Sequence, residues 1–137
     1  HLKRLKGAKQ DFTRSLTNQD LQAKSLFGRG VCNAMEGNFE ASISDYDKAL
    51  KFNNAFAEAY YNRGVSKGIM NQHKDALDDY NQAIKLKENY AEAYYNRGIS
   101  KVALNQFQDG CKDFNKALDL GFEQAREQID TYCQSNN

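Results

Sequence analysis

The octapeptide AEAYYNRG occupies residues 57–64 and returns unchanged at residues 91–98. The interval between the copies is 91 − 57 = 34 residues. One period before the first copy, AKSLFGRG at residues 23–30 keeps the Arg-Gly ending, and one period after the second copy Ala125 opens the final segment. Because a fixed period of this length is typical of stacked helical hairpins, the sequence predicts an all-α solenoid.

The central period, residues 57–90, predicts two helices joined by a tight turn. Apolar residues recur at steps of three and four on both sides of the short segment NQH, which is the spacing of one helical face. The chain contains no proline, so nothing interrupts these helices by removing a backbone N–H. A single hairpin leaves one apolar face in water, and neighbouring hairpins must therefore stack to bury it.

A glycine recurs in phase near the middle of each predicted first helix, at Gly30, Gly64 and Gly98. Each costs roughly 1 kcal/mol relative to alanine, which indicates a close approach between helices. The facing positions of the second helices carry small residues, Ser42, Ala76 and Gly110. We therefore predict that the two helices of each hairpin pack backbone to backbone at this point. A large aromatic residue follows four positions later, at Tyr46, Tyr80 and Phe114.

The order of large residue, glycine, small residue, aromatic residue and alanine resembles the tetratricopeptide repeat. The large residues that open the pattern are Leu26, Tyr60 and Tyr94. The resemblance implies a right-handed α-solenoid with three complete units, at residues 23–56, 57–90 and 91–124. Residues 1–22 are expected to form a half repeat, namely the second helix of a preceding unit. Residues 125–137 are expected to form a C-terminal solvating helix and tail.

Charged residues follow the same period. An arginine recurs in each predicted first helix, at Arg29, Arg63 and Arg97, and an aspartate recurs in the second helices, at Asp11, Asp45, Asp79 and Asp113. One interpretation makes the arginines a ladder for phosphate or acidic ligands, because a guanidinium binds such groups bidentately. We favour the other, in which each arginine pairs with an aspartate of a neighbouring helix and fixes the register between units. Lys67 and Lys101 are expected to be solvated charges.

The resemblance also implies a concave groove lined by the first helices. Helical spacing predicts which residues face it. We call this set the first-helix stripe, and it consists of Lys24, Phe27, Val31, Glu58, Tyr61, Asn62, Val65, Glu92, Tyr95, Asn96 and Ile99. Its asparagines carry both a donor and an acceptor for the backbone of an extended ligand, and its tyrosines supply contact area. The alternative role for a tyrosine is packing between helices, which we assign to Tyr60 and Tyr94.

A subgroup of this family binds the acidic C-terminal tails of heat-shock chaperones through a clamp of lysines, arginine and asparagines. This chain resembles that subgroup poorly. Asn62 fits one clamp position, but Phe27 and Val31 stand where basic or amide groups are needed. An acidic tail would also meet Glu58 and Glu92. We therefore expect the groove to take a different partner.

The predicted function is a non-catalytic interaction scaffold that binds a peptide segment or a helix of a partner protein. The sequence contains no Ser/His/acid arrangement, no Gly-rich phosphate loop and no metal-ligand spacing. We therefore predict no enzymatic activity, no cofactor and no metal site. The alternative is an assembly module that forms a homo-oligomer through residues 1–16 of the half repeat.

The bulk composition narrows the choice of partners. The 19 basic and 18 acidic residues leave a net charge of +1, so neither nucleic acid nor an anionic membrane surface is a predicted partner. A soluble chain is expected, because no apolar run approaches the ~18 residues that span a bilayer. Cys32, Cys111 and Cys133 match no zinc or redox spacing, and we expect small apolar fillers. Their number fits a reducing, cytoplasmic compartment without establishing one.

Overall fold

The computed structural model describes the backbone of residues 2–134 and the side chains of residues 18–134. Within this part of the chain it contains seven helices and no strands, which confirms the all-α prediction. The helices are α1 (Leu2–Met35), α2 (Phe39–Phe52), α3 (Ala57–Ile69), α4 (His73–Leu86), α5 (Ala91–Ala103), α6 (Phe107–Asp119) and α7 (Ala125–Tyr132). None of the described helices has the length and apolar character that crossing a membrane requires.

The helices pack as consecutive hairpins, α1 with α2, α3 with α4 and α5 with α6, and each hairpin also contacts the next. The turn inside each hairpin contains one residue with a positive φ, namely Gly37 at 83°, Asn71 at 66° and Asn105 at 64°. Glycine and asparagine are the residues that adopt this left-handed conformation at least cost. Helix α7 packs on α6 at the C-terminal end. The solenoid of three hairpin units is therefore confirmed.

Helix α1 differs from the later units because it runs without a break through residues 19–22, where the period would place a turn. At the next two turns between units, the Phe56 ring lies 4.8 Å from that of Phe27, and the Tyr90 ring lies 4.9 Å from that of Tyr61. Gln22 holds the equivalent position and has no ring. The side chains of residues 1–17 lie outside the described residues, and the packing of the half repeat stays a prediction.

The first-helix glycines do allow a close approach, but their neighbour differs from the prediction. A Cβ atom added to Gly64 would lie 2.8 Å from Cε1 of Tyr80, and one added to Gly98 would lie 2.6 Å from Cε1 of Phe114. In the third unit the facing backbone is also among the nearest neighbours, with the Gly110 carbonyl oxygen at 3.0 Å. The close approach at the facing backbone is therefore seen in the third unit, whereas in the first two units the nearest neighbours of the glycine are side-chain atoms. Each glycine makes room for a large, fully buried ring, that of Tyr46, Tyr80 or Phe114.

We expect Gly98→Ala to lower the free energy of unfolding by about 1 to 3 kcal/mol, because the new methyl group would overlap the Phe114 ring. Gly28 provides the matched control, since a Cβ added there meets nothing within 4 Å. Gly28→Ala should raise stability by up to about 1 kcal/mol through helix propensity alone. Urea denaturation of both variants measures the difference, and equal effects would contradict the packing role.

The cysteines do not act as apolar fillers, so that expectation was wrong. Cys111 in α6 and Cys133 after α7 form a disulfide, with their Cα atoms 5.7 Å apart, and Cys32 is exposed. The disulfide links the two helices around the C-terminal cluster, in which Phe114 and Ala125 are buried. Because disulfides persist in oxidising compartments, this pair lends no support to the reducing compartment inferred from the cysteine count.

Candidate functional site

The first-helix stripe lies on α1, α3 and α5, as predicted from helical spacing. Lys24 and Glu92 are exposed, and the other members are half-buried. Half-buried aromatic and aliphatic side chains offer apolar contact area that is still accessible to a ligand. Contact between a ligand and these residues stays a prediction.

Tyr61 occupies the junction between the second and third units. Its ring centroid lies 4.9 Å from that of Tyr90 and 6.1 Å from that of Tyr80. The side-chain amide of Asn96 donates a hydrogen bond to the Tyr61 hydroxyl at 2.9 Å. Burial and the nearby Glu92 carboxylate raise the pKa of Tyr61 to about 12, against the smaller opposing effect of the Asn96 bond. The phenol therefore stays protonated at neutral pH and joins the two units.

The two asparagines of the stripe are not equivalent. Each donates from Nδ2 to the backbone carbonyl oxygen four residues earlier, but Asn96 also donates to the Tyr61 hydroxyl. Phe27 stands one period before Tyr61 and has no hydroxyl, so Asn62 makes no such bond. Among the described residues, Asn62 therefore has one N–H and its carbonyl oxygen without a partner, whereas Asn96 has only its carbonyl oxygen without one.

Tyr95 repeats the arrangement at the C-terminal end of the array with different partners. Its ring lies 4.9 Å from that of Phe122, and Gln128 of α7 donates to its hydroxyl from Nε2 at 3.3 Å. The sequence interpretation missed Gln128, because α7 was treated only as a solvating helix. This helix therefore borders the stripe as well as covering the C-terminal cluster.

The packing role assigned to Tyr60 and Tyr94 is confirmed, since both rings pack against the buried clusters. Their hydroxyls donate to backbone carbonyl oxygens in the turns between units, those of Asn54 and Glu88, at 3.1 Å each. Tyr61 and Tyr95 pack against the same clusters. The second tyrosine of each pair therefore also stabilises the array, whatever its part in binding.

The arginines are engaged by the chain's own aspartates. The closest N···O distances are 2.6 Å for Arg63 with Asp79 and 2.7 Å for Arg97 with Asp113. Arg29 likewise pairs with the buried Asp45 at 2.6 Å. The predicted pairing of arginine with aspartate is therefore confirmed, but these pairs join the two helices of one unit, so the prediction that they fix the register between units was wrong. Asp11, the fourth aspartate of the series, lies outside the described side chains.

The link between units comes from a second contact of two of these arginines. Nη1 of Arg63 donates to Asp47 of the preceding unit at 2.8 Å, and Nη1 of Arg97 donates to Asn81 at 3.0 Å. Neither residue belongs to the periodic aspartate series, because Asp47 and Asn81 stand two positions after Asp45 and Asp79. A single guanidinium thus ties three helices together.

The expectation that Lys67 and Lys101 are solvated was wrong. Their Nζ atoms lie 3.2 Å from Asp79 and 3.0 Å from Asp113, and only 19% of each lysine side chain is exposed. Each of these aspartates therefore forms salt bridges with one arginine and one lysine. A carboxylate buried to this extent needs such partners, because desolvation penalises an unpaired charge.

Sequence profiles of the tetratricopeptide repeat match residues 57–90 and 91–120, and a profile described as TPR repeat matches residues 35–67. The chain belongs to the tetratricopeptide repeat family. No curated protein matches the TPR array of this chain.

Several solved TPR domains share the fold. The first TPR of Spaghetti (RPAP3), bound to the HSP90 peptide SRMEEVD, has a TM-score of 0.82 at 23% identity, over 85% of this chain and 94% of its own. The second TPR of Spaghetti, bound to the same peptide, has a TM-score of 0.76 at 28% identity, over 78% of this chain and 98% of its own. The second TPR domain of human RPAP3, in complex with the HSP70 peptide SGPTIEEVD, has a TM-score of 0.78 at 25% identity, over 88% of this chain and 99% of its own.

One further residue borders the stripe of this TPR array. Lys87 lies in the turn between α4 and α5, and its Nζ atom is 4.3 Å from the centroid of the Tyr90 ring. The same atom is 3.9 Å from Oε1 of Glu58. Sequence analysis missed Lys87 because only first helices were considered. Its position shows that an ammonium group fits between this ring and this carboxylate.

Proposed function

We propose that the chain is a non-catalytic scaffold that binds a peptide segment or a helix of a partner protein on the first-helix stripe. The observation that carries the proposal is the free hydrogen-bonding capacity of Asn62 beside half-buried apolar residues such as Val65. An extended peptide needs both a donor and an acceptor for each unit of its backbone. The TPR domains of RPAP3, which bind chaperone peptides, support a peptide as ligand.

The sequence of the ligand is proposed to differ from those chaperone peptides. SRMEEVD and SGPTIEEVD both end in two glutamates, a valine and an aspartate. On the first-helix stripe, Glu58 and Glu92 would face such carboxylates. Like charges brought together in an interface oppose binding. A partner with fewer acidic residues is therefore favoured.

A random dodecapeptide library displayed on phage tests the proposal. We expect the wild-type chain to select peptides. Asn62→Ala combined with Val65→Ala should weaken the binding of one selected, fluorescein-labelled peptide about tenfold, which corresponds to about 1.4 kcal/mol. That is the loss expected when one hydrogen-bonding group and one small apolar contact are removed. Fluorescence anisotropy measures the dissociation constants.

The matched control removes the same two kinds of side chain from second helices. Leu86 and Asn115 are exposed on α4 and α6, and Leu86→Ala combined with Asn115→Ala should leave the affinity unchanged. Thermal melts confirm that both double variants are folded. Failure to select any peptide, or a loss of affinity in the control variant alone, would contradict binding at the stripe.

Self-association through residues 1–16 is the second proposal. Those side chains lie outside the described residues. Light scattering on the chain with and without residues 1–16 tests it. A change from oligomer to monomer on deletion supports self-association, and a monomer in both cases rules it out.

A further inference from the structure

One face of helix α1 is exposed, although the same face of α3 and α5 is covered. Leu21, Ser25, Arg29 and Cys32 lie on it at steps of three and four residues, and all four are exposed. We call these four residues the open α1 face. The arginine shows the contrast most clearly, because 60% of the Arg29 side chain is exposed against 19% of its counterpart Arg63. The first unit therefore leaves open a surface that the later units bury.

In the later units, the preceding second helix covers this face. Where α2 meets α3, the hydroxyls of Ser42 and Ser66 share a hydrogen bond at 2.8 Å, and Arg63 donates to Asp47 at 2.8 Å. Ser66 is consequently only 1% exposed, whereas Cys32, one period earlier, is exposed. Among residues 18–134, no second helix covers the open α1 face.

The residues that precede this face carry the sequence pattern of a second helix. Ala8, Asp11, Phe12 and Leu16 stand two periods before Ala76, Asp79, Tyr80 and Ile84 of α4. Their backbone nevertheless continues the first helix, because α1 runs unbroken from Leu2 to Met35. An unbroken helix contains no turn that would bring residues 1–17 alongside residues 21–32. In this conformation, the segment with the second-helix pattern is available only to another molecule.

We infer that two copies of this chain exchange their half repeats, so that residues 1–17 of each copy cover the open α1 face of the other. This inference deepens the proposed self-association through residues 1–16 and rests on it. The two α1 helices run antiparallel in the exchange, as consecutive helices joined by short turns do within the array.

The exchange repeats the contacts between α2 and α3 one period earlier. Ala8 of one copy then lies opposite Cys32 of the other, and Thr13 lies opposite Arg29. The residue types suit these positions, because alanine is as small as the serine it replaces. The hydroxyl of threonine is an acceptor for a guanidinium, as the side-chain oxygens of Asp47 and Asn81 are in the later units.

These contacts place a two-fold axis in the middle of the paired α1 helices. In a symmetric dimer, a contact between two residues is made twice, and in an antiparallel helix pair the axis passes at their mean position. The mean of 13 and 29 is 21, and the mean of 8 and 32 is 20. Leu21, which is 58% exposed in the single chain, therefore packs against Leu21 of the other copy.

A cysteine at position 8 tests the exchange directly. Side chains whose Oγ atoms are 2.8 Å apart, as in Ser42 and Ser66, lie close enough for a disulfide when both residues are cysteine. Ala8→Cys should therefore form a disulfide with the exposed Cys32 of the other copy when air oxidises the two thiols. On a non-reducing gel the product should run at twice the 15.6 kDa of one chain, and a thiol reductant should return it to that mass.

Gln10→Cys is the matched control. Position 10 corresponds to Ser44 and Asp78, which are exposed on α2 and α4, so a cysteine there should not reach Cys32. This variant also accounts for any dimer that forms directly between two Cys32 residues. Equal amounts of covalent dimer from Ala8→Cys and Gln10→Cys would overturn the exchange. An Ala8→Cys product that consumes its thiols at the mass of one chain would overturn it too, because residues 1–17 then fold back on their own copy.

Light scattering on a variant of the axis residue gives a second readout. Leu21→Asp brings two carboxylates together at the axis, and like charges in an interface oppose association. We expect the measured mass to fall from that of two chains to that of one. Leu86→Asp adds the same charge to a leucine of α4 that is 43% exposed, and it should leave the mass unchanged. Circular dichroism confirms that both variants are folded.

The outcomes separate the exchange from self-association in general. If deletion of residues 1–16 converts a dimer to a monomer but Ala8→Cys gives no more covalent dimer than its control, self-association stands and the exchange is overturned. A Leu21→Asp variant that keeps the mass of two chains also overturns the exchange. If the wild-type chain is a monomer, both proposals fail. None of these results affects the peptide-binding proposal, which rests on Asn62 and Val65.

Discussion

Replacing Asp113 with alanine is expected to lower the free energy of unfolding by about 3 to 5 kcal/mol, because it leaves two largely buried cations without their carboxylate. Asp113 accepts from Arg97 at 2.7 Å and from Lys101 at 3.0 Å, and its side chain is only 5% exposed. The second contact of Arg97, to Asn81, carries no charge and cannot compensate. Urea denaturation followed by far-UV circular dichroism measures the loss.

Two related substitutions serve as controls for Asp113→Ala. Asp109 lies on the same helix, exposed, with Lys112 at 3.9 Å, and Asp109→Ala should change stability by less than about 0.5 kcal/mol. Asp79→Ala should cost less than Asp113→Ala, because Arg63 keeps Asp47 at 2.8 Å. If Asp109→Ala and Asp113→Ala cost the same, the buried ion pairs do not stabilise the hairpins in the way described.

The second large effect is expected from Phe114→Ala, with a loss of about 3 to 5 kcal/mol, the range found for buried phenylalanines. The ring is fully buried and packs on Gly98, which has no side chain of its own to fill the space. Phe107 lies on the same helix with 41% of its surface exposed. Phe107→Ala should therefore cost less than about 1 kcal/mol in the same urea titration.

Combining Phe114→Ala with Gly98→Ala tests whether the ring and the glycine act together. In the wild-type background the added methyl group overlaps the ring. In the Phe114→Ala background the ring is gone, so Gly98→Ala should be neutral or stabilising through helix propensity. A double-mutant cycle measures this coupling. An unchanged penalty for Gly98→Ala would show that the clash lies with the Gly110 backbone instead.

The hairpins were predictable from the sequence because helical spacing and a fixed period are local properties of the chain. Gly64 and its two counterparts marked the close contacts correctly, yet the neighbour of each glycine depends on the angle at which two helices cross. That angle is set by packing, and it brought Tyr80 rather than Ala76 over Gly64. The continuous helix α1 escaped prediction because a period locates where a turn recurs but does not decide whether the first turn of the series forms.

The helix face that carries the candidate site could be predicted from the sequence, but the hydrogen bonds between its residues could not. Helical spacing placed Tyr61 and Asn62 on one face, because both lie on the same helix. The hydrogen bond from Asn96 to Tyr61 joins residues 35 positions apart, and it forms only because adjacent units stack. Lys67 was misassigned for the same reason, since its partner lies on another helix. Lys87 carried no periodic signal, because Asn53 and Gly121 stand one period before and after it.

The disulfide between Cys111 and Cys133 changes how the C-terminal end of the array can open. Each unit of such an array contacts only its neighbours, so local opening starts at the ends. An unfolded α7 would stay tethered on both sides, by the chain before Ala125 and by the disulfide after Tyr132. A segment held at both ends gains less entropy on opening than a free terminus does. The disulfide therefore disfavours the opening of α7 on its own, and it stabilises the contact that α7 adds to the stripe through Gln128.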